Sequence, residues 1–221
     1  SVLLTSTVKY NSSSTTKSSD TIKSEVTTAI TNYNTNTLQK FDAIYRHSKL
    51  TGLIDDTDNS ILSNITTVKI RKSFTPTLLS SNKYDIYFRN ALFNPHSGHN
   101  ATAGGILSST GFKIDGNDNE MFLDDDGEGN VRLYQLDSGI RTYVNSTQGT
   151  ISYSSGQITL NSLNVASISN IRGSTSTVVE LTVTPDSNDV VPVRDQIVEI
   201  DVSNSSVTVN SDTFVGGSAD A

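Results

Sequence analysis

Three groupings in this chain carry residue types that chemistry uses. Asp124-Asp125-Asp126 brings three carboxylates together, and hard cations such as Ca²⁺ take several carboxylate oxygens from one loop. The EF-hand spacing is not met. Counted from Asp115 the sixth position is Glu120, not glycine; counted from Asp124 the twelfth is Gln135, not glutamate. With Gly127-Glu128-Gly129-Asn130 following, the triplet reads as a tight, solvated hairpin loop in which Asp and Gly serve turn geometry. His96 and His99 lie three apart and two imidazoles could share a metal, but Pro95 and Gly98 put them on a loop. They read as surface histidines, and His47 beside Arg46 carries no motif. Serines abound without a G-x-S-x-G elbow, and Ser97-Gly98-His99 is adjacency without geometry. Gly127-Glu128-Gly129 follows aspartates and precedes a strand, so it is no phosphate cradle. No catalytic residue, metal ligand or cofactor is assigned, and the chain is not expected to be an enzyme.

Charge and composition narrow the partners. The formal net charge is -7, and Lys69-Ile70-Arg71-Lys72 is the single basic cluster, which reads as a solvated strand face. Nucleic acid, which needs clustered cations to neutralise phosphates, is not expected. Without cysteine there is no disulfide, thiolate metal site or cysteine nucleophile. No apolar run reaches the roughly 18 residues of a membrane span, so no membrane partner is expected. Sequons such as Asn64-Ile65-Thr66 arise by chance in a chain this rich in Asn, Ser and Thr. The apolar share is 34%, or about 40% with the 14 glycines counted, against roughly 45–50% for typical domains counted with glycine. A β-rich fold with a lean core, or one supported by neighbours, fits that supply. Starting at Ser1 without methionine, the chain reads as a piece of a longer protein.

The elements that would position these residues follow from periodicity. Residues 1–10 are β-like, and Asn11–Ser19 is a loop. Asp20 reads as an N-cap before Ile22, Val26, Ile30 and Tyr33, one face of an amphipathic helix. Asn34–Asn36 ends it. Thr37–Ser48 is ambiguous between helix and strand, Lys49–Asp55 suggests a short second helix, and Ile61–Phe74 is a strand closed by Pro76. A β-α-β-α-β order over residues 1–76 predicts a small α+β layer domain.

From residue 77 to 215 the pattern is that of a mainly antiparallel β domain, with residues 216–221 a disordered tail. Tyr84–Phe88, Ile106–Ile114, Val178–Val183, Ile197–Val202 and Val207–Val209 read as strands. Between Asn119 and Leu160 the apolar segments alternate with turns at Asp124–Asn130, Asp137–Gly139, Asn145–Gly149 and Ser154–Gln157, which predicts a β-meander. Gly127, Gly129, Gly139, Gly149 and Gly156 are expected to hold turns. Phe88, Leu92 and Phe93 form an apolar group before a polar loop, either a contact patch with another subunit or ordinary core. The fold class expected is therefore α+β and β-rich.

Three separated blocks carry a resemblance. Phe122–Gly127 with Gly129-Asn130-Val131-Arg132 and Tyr134 resembles the C-terminal region of the large baseplate wedge subunit of T-even-type contractile-tailed phages. Ser48–Asp55 followed by Ile61–Asn64 resembles the family's helix-to-strand step, and Val193–Ile197 with Ile200-Asp201 its last strands. The resemblance implies a structural subunit of the virion tail baseplate, assembled in the host cytoplasm. It implies self-pairing, links between wedges in the inner ring, and contacts with other wedge subunits and the sheath-initiating subunit. It transfers no catalytic or metal-binding residue. A β-rich binding module, an adhesin or carbohydrate-binding domain, is the second reading, motivated by the Ser/Thr/Asn-rich strands and the Asp124–Asp126 loop and set against the absence of tryptophan and the amphipathic helix near the start.

Overall fold

The computed structural model describes residues 1–94, 105–193 and 196–212. His96, His99 and the expected tail at 216–221 lie outside them. The described chain is β-rich with two helices, an α+β fold. The described residues pack as two compact units, one from the ranges 1–68 and 188–212 and the other from the range 69–187. The expected division after Pro76 thus differs from the packing, which places the boundary inside a strand and returns the C-terminal segment to the first unit.

In the first unit, strand β1 (Val2–Tyr10) alternates so that Val2, Leu4, Ser6, Val8 and Tyr10 are buried. Ser6 keeps its hydroxyl satisfied against Thr66, 2.9 Å away. Helix α1 (Ser19–Tyr33) buries Ile22, Val26, Ile30 and Tyr33, as the spacing predicts. Each such aliphatic side chain contributes roughly 1.5–3 kcal/mol by leaving water. The cap is Ser18, whose Oγ accepts from the Thr21 amide at 3.2 Å; Asp20 sits in the first turn, where its charge suits the helix dipole. Instead of stopping at Asn34, the chain widens into a π-helical turn, Asn34–Leu38. That turn points Asn34 Oδ1 at the Ile200 amide, 2.8 Å away, pinning the returning C-terminal segment.

Helix α2 (His47–Asp55) starts two residues earlier than expected and buries Leu50 and Ile54. Arg46, at the cap position, has no side-chain capping bond; the His47 amide donates instead to Asp189 Oδ1 at 2.8 Å. A residue 142 positions away performs the capping, which no local pattern reveals. Burial, opposed by the Asp189 carboxylate, pulls the His47 imidazole below its ordinary value of 6.5. Tyr45, whose hydroxyl lies 3.5 Å from His47 Nδ1, and Arg46, paired with Asp189, are the other ionisable neighbours. The unfolded chain therefore takes up the proton first, and stability falls as pH drops below 6.5 toward the lowered folded value. His47→Gln is expected to flatten that slope in urea unfolding between about pH 5 and pH 8. An unchanged slope would remove His47 as its source.

Strand β2 (Ile61–Phe74) leads out of the first unit. Strand β11 (Ser206–Ser211) comes back to it and pairs with β1 in parallel, Thr5 opposite Ser206 and Tyr10 opposite Ser211. Ile197–Val202, expected to be a strand, is not one. It makes a single parallel bridge, Val2 with Ile200, then a 3-10 turn over Val202–Asn204. Asp201 Oδ1 accepts from the Asn204 amide at 3.1 Å, and Ser205 Oγ donates to the Asp201 carbonyl at 2.7 Å. These local side-chain bonds outcompete the ladder that the alternation suggests.

The second unit holds β3 (Ser81–Tyr87), β4 (Ser108–Ser109), β5 (Phe112–Ile114), β6 (Met121–Asp125), β7 (Asn130–Asp137), β8 (Ile140–Ser152), β9 (Gln157–Ile168) and β10 (Val179–Val183). The last residues of β2 pair antiparallel with β10, Phe74 opposite Val179, and β10 pairs with β4. The other strands form a sheet in the order β3-β9-β5-β6-β7-β8, and a β8–β9 pairing closes five of them into a small barrel. Fully buried Phe112, Met121, Leu123, Val131, Ile158 and Leu160 lie among its strands. The expected loop at Asn145–Gly149 is absent as a break. β8 runs through it, and the irregularity is absorbed by register shifts against β7 near Leu133.

Candidate functional site

The aspartate triplet is split by the geometry of β6. Alternation sends Asp124 and Asp125 to opposite faces, and both are buried, at 1% and 0% exposure. The expectation of one solvated loop holds for Asp126 alone. Asp126 Oδ1 accepts from the amides of Glu128 (2.8 Å) and Asn130 (3.0 Å), and Oδ2 from Asn130 Nδ2 (2.7 Å). Burial works against its charge, but the bonds from Asn130 and Glu128 hold the carboxyl below the usual range.

Asp124 stands directly across from Arg132 in the β6–β7 ladder. Its Oδ1 takes the Arg132 Nε at 2.8 Å; its Oδ2 takes Arg141 Nη1 at 2.8 Å and the Tyr143 hydroxyl at 2.9 Å. Arg132 also donates Nη2 to the Asp125 carbonyl at 2.8 Å. The two guanidiniums interleave with aromatic rings. Arg132 lies 4.3 Å from the Tyr143 centroid, Arg141 4.8 Å from that of Tyr134, and Phe122 stacks on Tyr134 at 5.7 Å. Burial, then the bond to Asp124, pushes the Tyr143 phenol up. One carboxylate thus ties three consecutive strands together.

On the other face, Asp125 Oδ2 accepts from the Tyr153 hydroxyl at 2.6 Å and Oδ1 from the Leu107 amide at 2.8 Å. Burial, then this carboxylate, drives the Tyr153 phenol strongly up. A Cβ on Gly105 would fall 1.6 Å from Asp125 Oδ1, so the backbone approaches this carboxylate as only glycine allows. Asp124 and Asp125 are thus engaged by cations, phenols and an amide. Among the described residues no three His, Asp or Glu side chains converge to hold a metal ion.

The other singled-out residues fall as follows. Gly127, Gly129, Gly139 and Gly156 have positive φ in turns. Gly149 holds no turn; it lies inside β8, paired with both Val131 and Leu160. Phe88 and Leu92 are buried at 4% and 3% exposure, with their amides bonded to the carbonyls of Gly156 and Tyr153, while Phe93 is 38% exposed. The basic run is not a solvated face: Ile70 is buried, Arg71 pairs with Glu180 at 3.4 Å, and Lys72 donates to the Tyr87 carbonyl.

The β7–β8 hairpin belongs to the expected meander; what the sequence did not disclose is how far it is exposed. Ser138 (φ 53°) and Gly139 (φ 85°) make its two-residue turn, of the type whose twist matches the strands. Beyond Asp124's clamp the hairpin stands out as an arm. Residues 140–147 are all exposed, among them Ile140 (71%) and Val144 (46%), with Leu136 (49%) on the neighbouring strand. β9 pairs with β8 only from Gly149 to Ser152, so among the described residues no strand covers the outer edge from Ile140 to Gln148. The apolar Leu136, Ile140 and Val144 on either side of a Ser-Gly turn were the available clue.

Residues 2–73 match the family model of baseplate structural protein gp6, C-terminal domain III. Over these residues the chain is similar to a baseplate structural domain. The match takes in β1, both helices and nearly all of β2, about a third of the chain. It is consistent with the C-terminal region of a T-even-type wedge subunit, and it supports a structural role in the phage tail baseplate. Two of the resembling blocks, around Phe122–Tyr134 and Val193–Asp201, lie beyond the matched domain. No curated protein matches the chain.

Proposed function

We propose that this chain is a non-enzymatic wedge subunit region that self-associates and links wedges into the inner ring of the baseplate, with other wedge subunits and the sheath-initiating subunit as further partners. Its place is the virion tail, after assembly in the host cytoplasm. The observation that carries the reading is the match of residues 2–73 to the gp6 domain. The β7–β8 arm supports it, because an exposed apolar strand with an open edge is a template for pairing with another chain. Burial of Phe88 and Leu92 leaves Phe93 as the exposed member of that apolar group. The arm is the contact surface we assign, with a second copy as its occupant.

Sedimentation velocity of the full-length wedge subunit across micromolar concentrations tests this. Self-association is expected, together with a weakening of at least tenfold, about 1.4 kcal/mol, in an Ile140→Asp/Val144→Asp variant that keeps its thermal transition. A wild-type protein that stays monomeric throughout overturns the self-association. Full association in the double variant overturns the assignment of the arm alone.

A further inference from the structure

The chain contains two Asp-Gly steps, Asp115-Gly116 and Asp126-Gly127, of the same dipeptide sequence and opposite surroundings. At such a step the glycine amide nitrogen attacks the aspartate side-chain carboxyl carbon, a water leaves, and a five-membered succinimide forms. Water then opens either carbonyl of the ring. The products are aspartate again or isoaspartate, in which the main chain runs through the former side-chain carboxyl. Atoms balance, mass is unchanged, and no oxidant or enzyme is needed. Glycine on the C-terminal side favours the attack because no side chain shields its nitrogen and its backbone rotates freely.

Asp126 is held away from that reaction. Its carboxylate accepts three hydrogen bonds, from Glu128 and twice from Asn130, and its own amide is bonded to the Asn130 carbonyl at 3.2 Å. The Gly127 carbonyl is fixed in turn by Asn94 Nδ2 at 3.0 Å. Rotating the carboxyl toward the Gly127 nitrogen breaks several of these bonds at once. Asp115 sits instead at an exposed turn between β5 and β6, closed by the Asn117 amide on the Ile114 carbonyl at 3.2 Å. Gly116 has φ 79°, the geometry of a turn that requires glycine at its third position. The Asp115 carboxylate accepts from Asn164 Nδ2 at a long 3.1 Å, and a Cβ at Gly116 would meet nothing within 4 Å. The peptide between Asp115 and Gly116 has room to turn.

We propose that Asp115 is a site of spontaneous isoaspartate formation, while the fold protects Asp126. The converted residue adds a methylene to the main chain where the Asp115 amide donates to the Asn164 carbonyl, so it loosens the β5–β9 contact at that end.

The test ages the intact chain at neutral pH and growth temperature for weeks, digests it with trypsin and locates isoaspartate by electron-transfer fragmentation. Cleavage after Lys113 and Arg132 leaves both sites in one peptide. Conversion at Asp115 is expected to exceed that at Asp126 by about tenfold or more. In a synthetic peptide of residues 114–132 the two are expected to convert at similar rates, and Gly116→Ala is expected to slow Asp115 in the folded chain. Equal rates at the two sites in the folded chain overturn the proposal. So does the absence of conversion at Asp115 on a timescale on which the free peptide converts.

Discussion

Replacing Asp124 by alanine is expected to lower the stability of the second unit by about 3–5 kcal/mol, the largest single effect in the chain. The reason is asymmetry. Arg132 has only 8% of its side chain exposed, so removing its carboxylate leaves a charge that has already lost its water. The Arg141 bond weighs less, because that side chain is 35% exposed and partly screened. For a chain of this size the loss corresponds to a fall in Tm of roughly 6–20 °C. Asp124→Asn keeps an acceptor of the same shape and loses only the charge, so it should fall between. Hydrogen exchange adds a second readout: amides of residues 140–148 should lose protection before those of β5, β6 and β9, since Asp124 holds this part of β8 through Arg141 and Tyr143. A loss under about 1 kcal/mol in Asp124→Ala would show that the clamp is no more than a surface ion pair.

Gly149→Ala is the second large effect, expected at about 1–3 kcal/mol or more. Here β8 changes partners, leaving β7 and taking up β9, and the backbones close in on each other. A Cβ would stand 2.1 Å from the Thr159 carbonyl oxygen and 3.1 Å from the Leu160 Cα, both main-chain atoms that no rotamer can move. The two ladders must separate to admit one methyl group. Gly52→Ala is the matched contrast. It lies inside α2 with nothing within 4 Å of the added carbon, so the same substitution should stabilise by about 0.5–1 kcal/mol through helix propensity. Denaturant unfolding of both variants checks the pair, and equal effects would refute the close-approach argument.

These two residues also show where reading the sequence stops. Gly149 and the Asn145–Gly149 stretch have the composition of a loop, and Asp124-Asp125-Asp126-Gly127 that of a turn. Local composition reports turn propensity, yet Asn145–Gly149 and Asp124-Asp125 are strand because a cross-strand neighbour makes them so. Arg132 opposite Asp124 turns two aspartates into buried strand residues, and Leu160 opposite Gly149, with the Thr159 carbonyl beside it, turns a hairpin residue into a close approach. Ile197–Val202 fails in the other direction: its alternation reads as strand, but it makes one bridge and gives way at Val202 to a turn held by the bonds of Asp201 with Asn204 and Ser205.

What the sequence determined by itself is whatever depends on neighbours a few residues apart. That covers the buried stripe Ile22, Val26, Ile30 and Tyr33, the alternation of Val179, Leu181 and Val183, and the turns at Gly127, Gly139 and Gly156. It covers the α+β, β-rich class that follows from them, and the Ser48–Asn64 block, whose likeness to a baseplate subunit falls within the match over residues 2–73. What only the tertiary structure decided is every pairing of residues far apart in the chain. β11 returns to lie parallel to β1, Asp189 caps α2, β9 closes the barrel on β8, and one carboxylate holds two arginines from different strands. The physical reason is that dihedral preference and periodicity are local quantities, whereas desolvation is collective. A carboxylate gives up water only where partners from several strands replace it, and those partners meet only once the strands have packed.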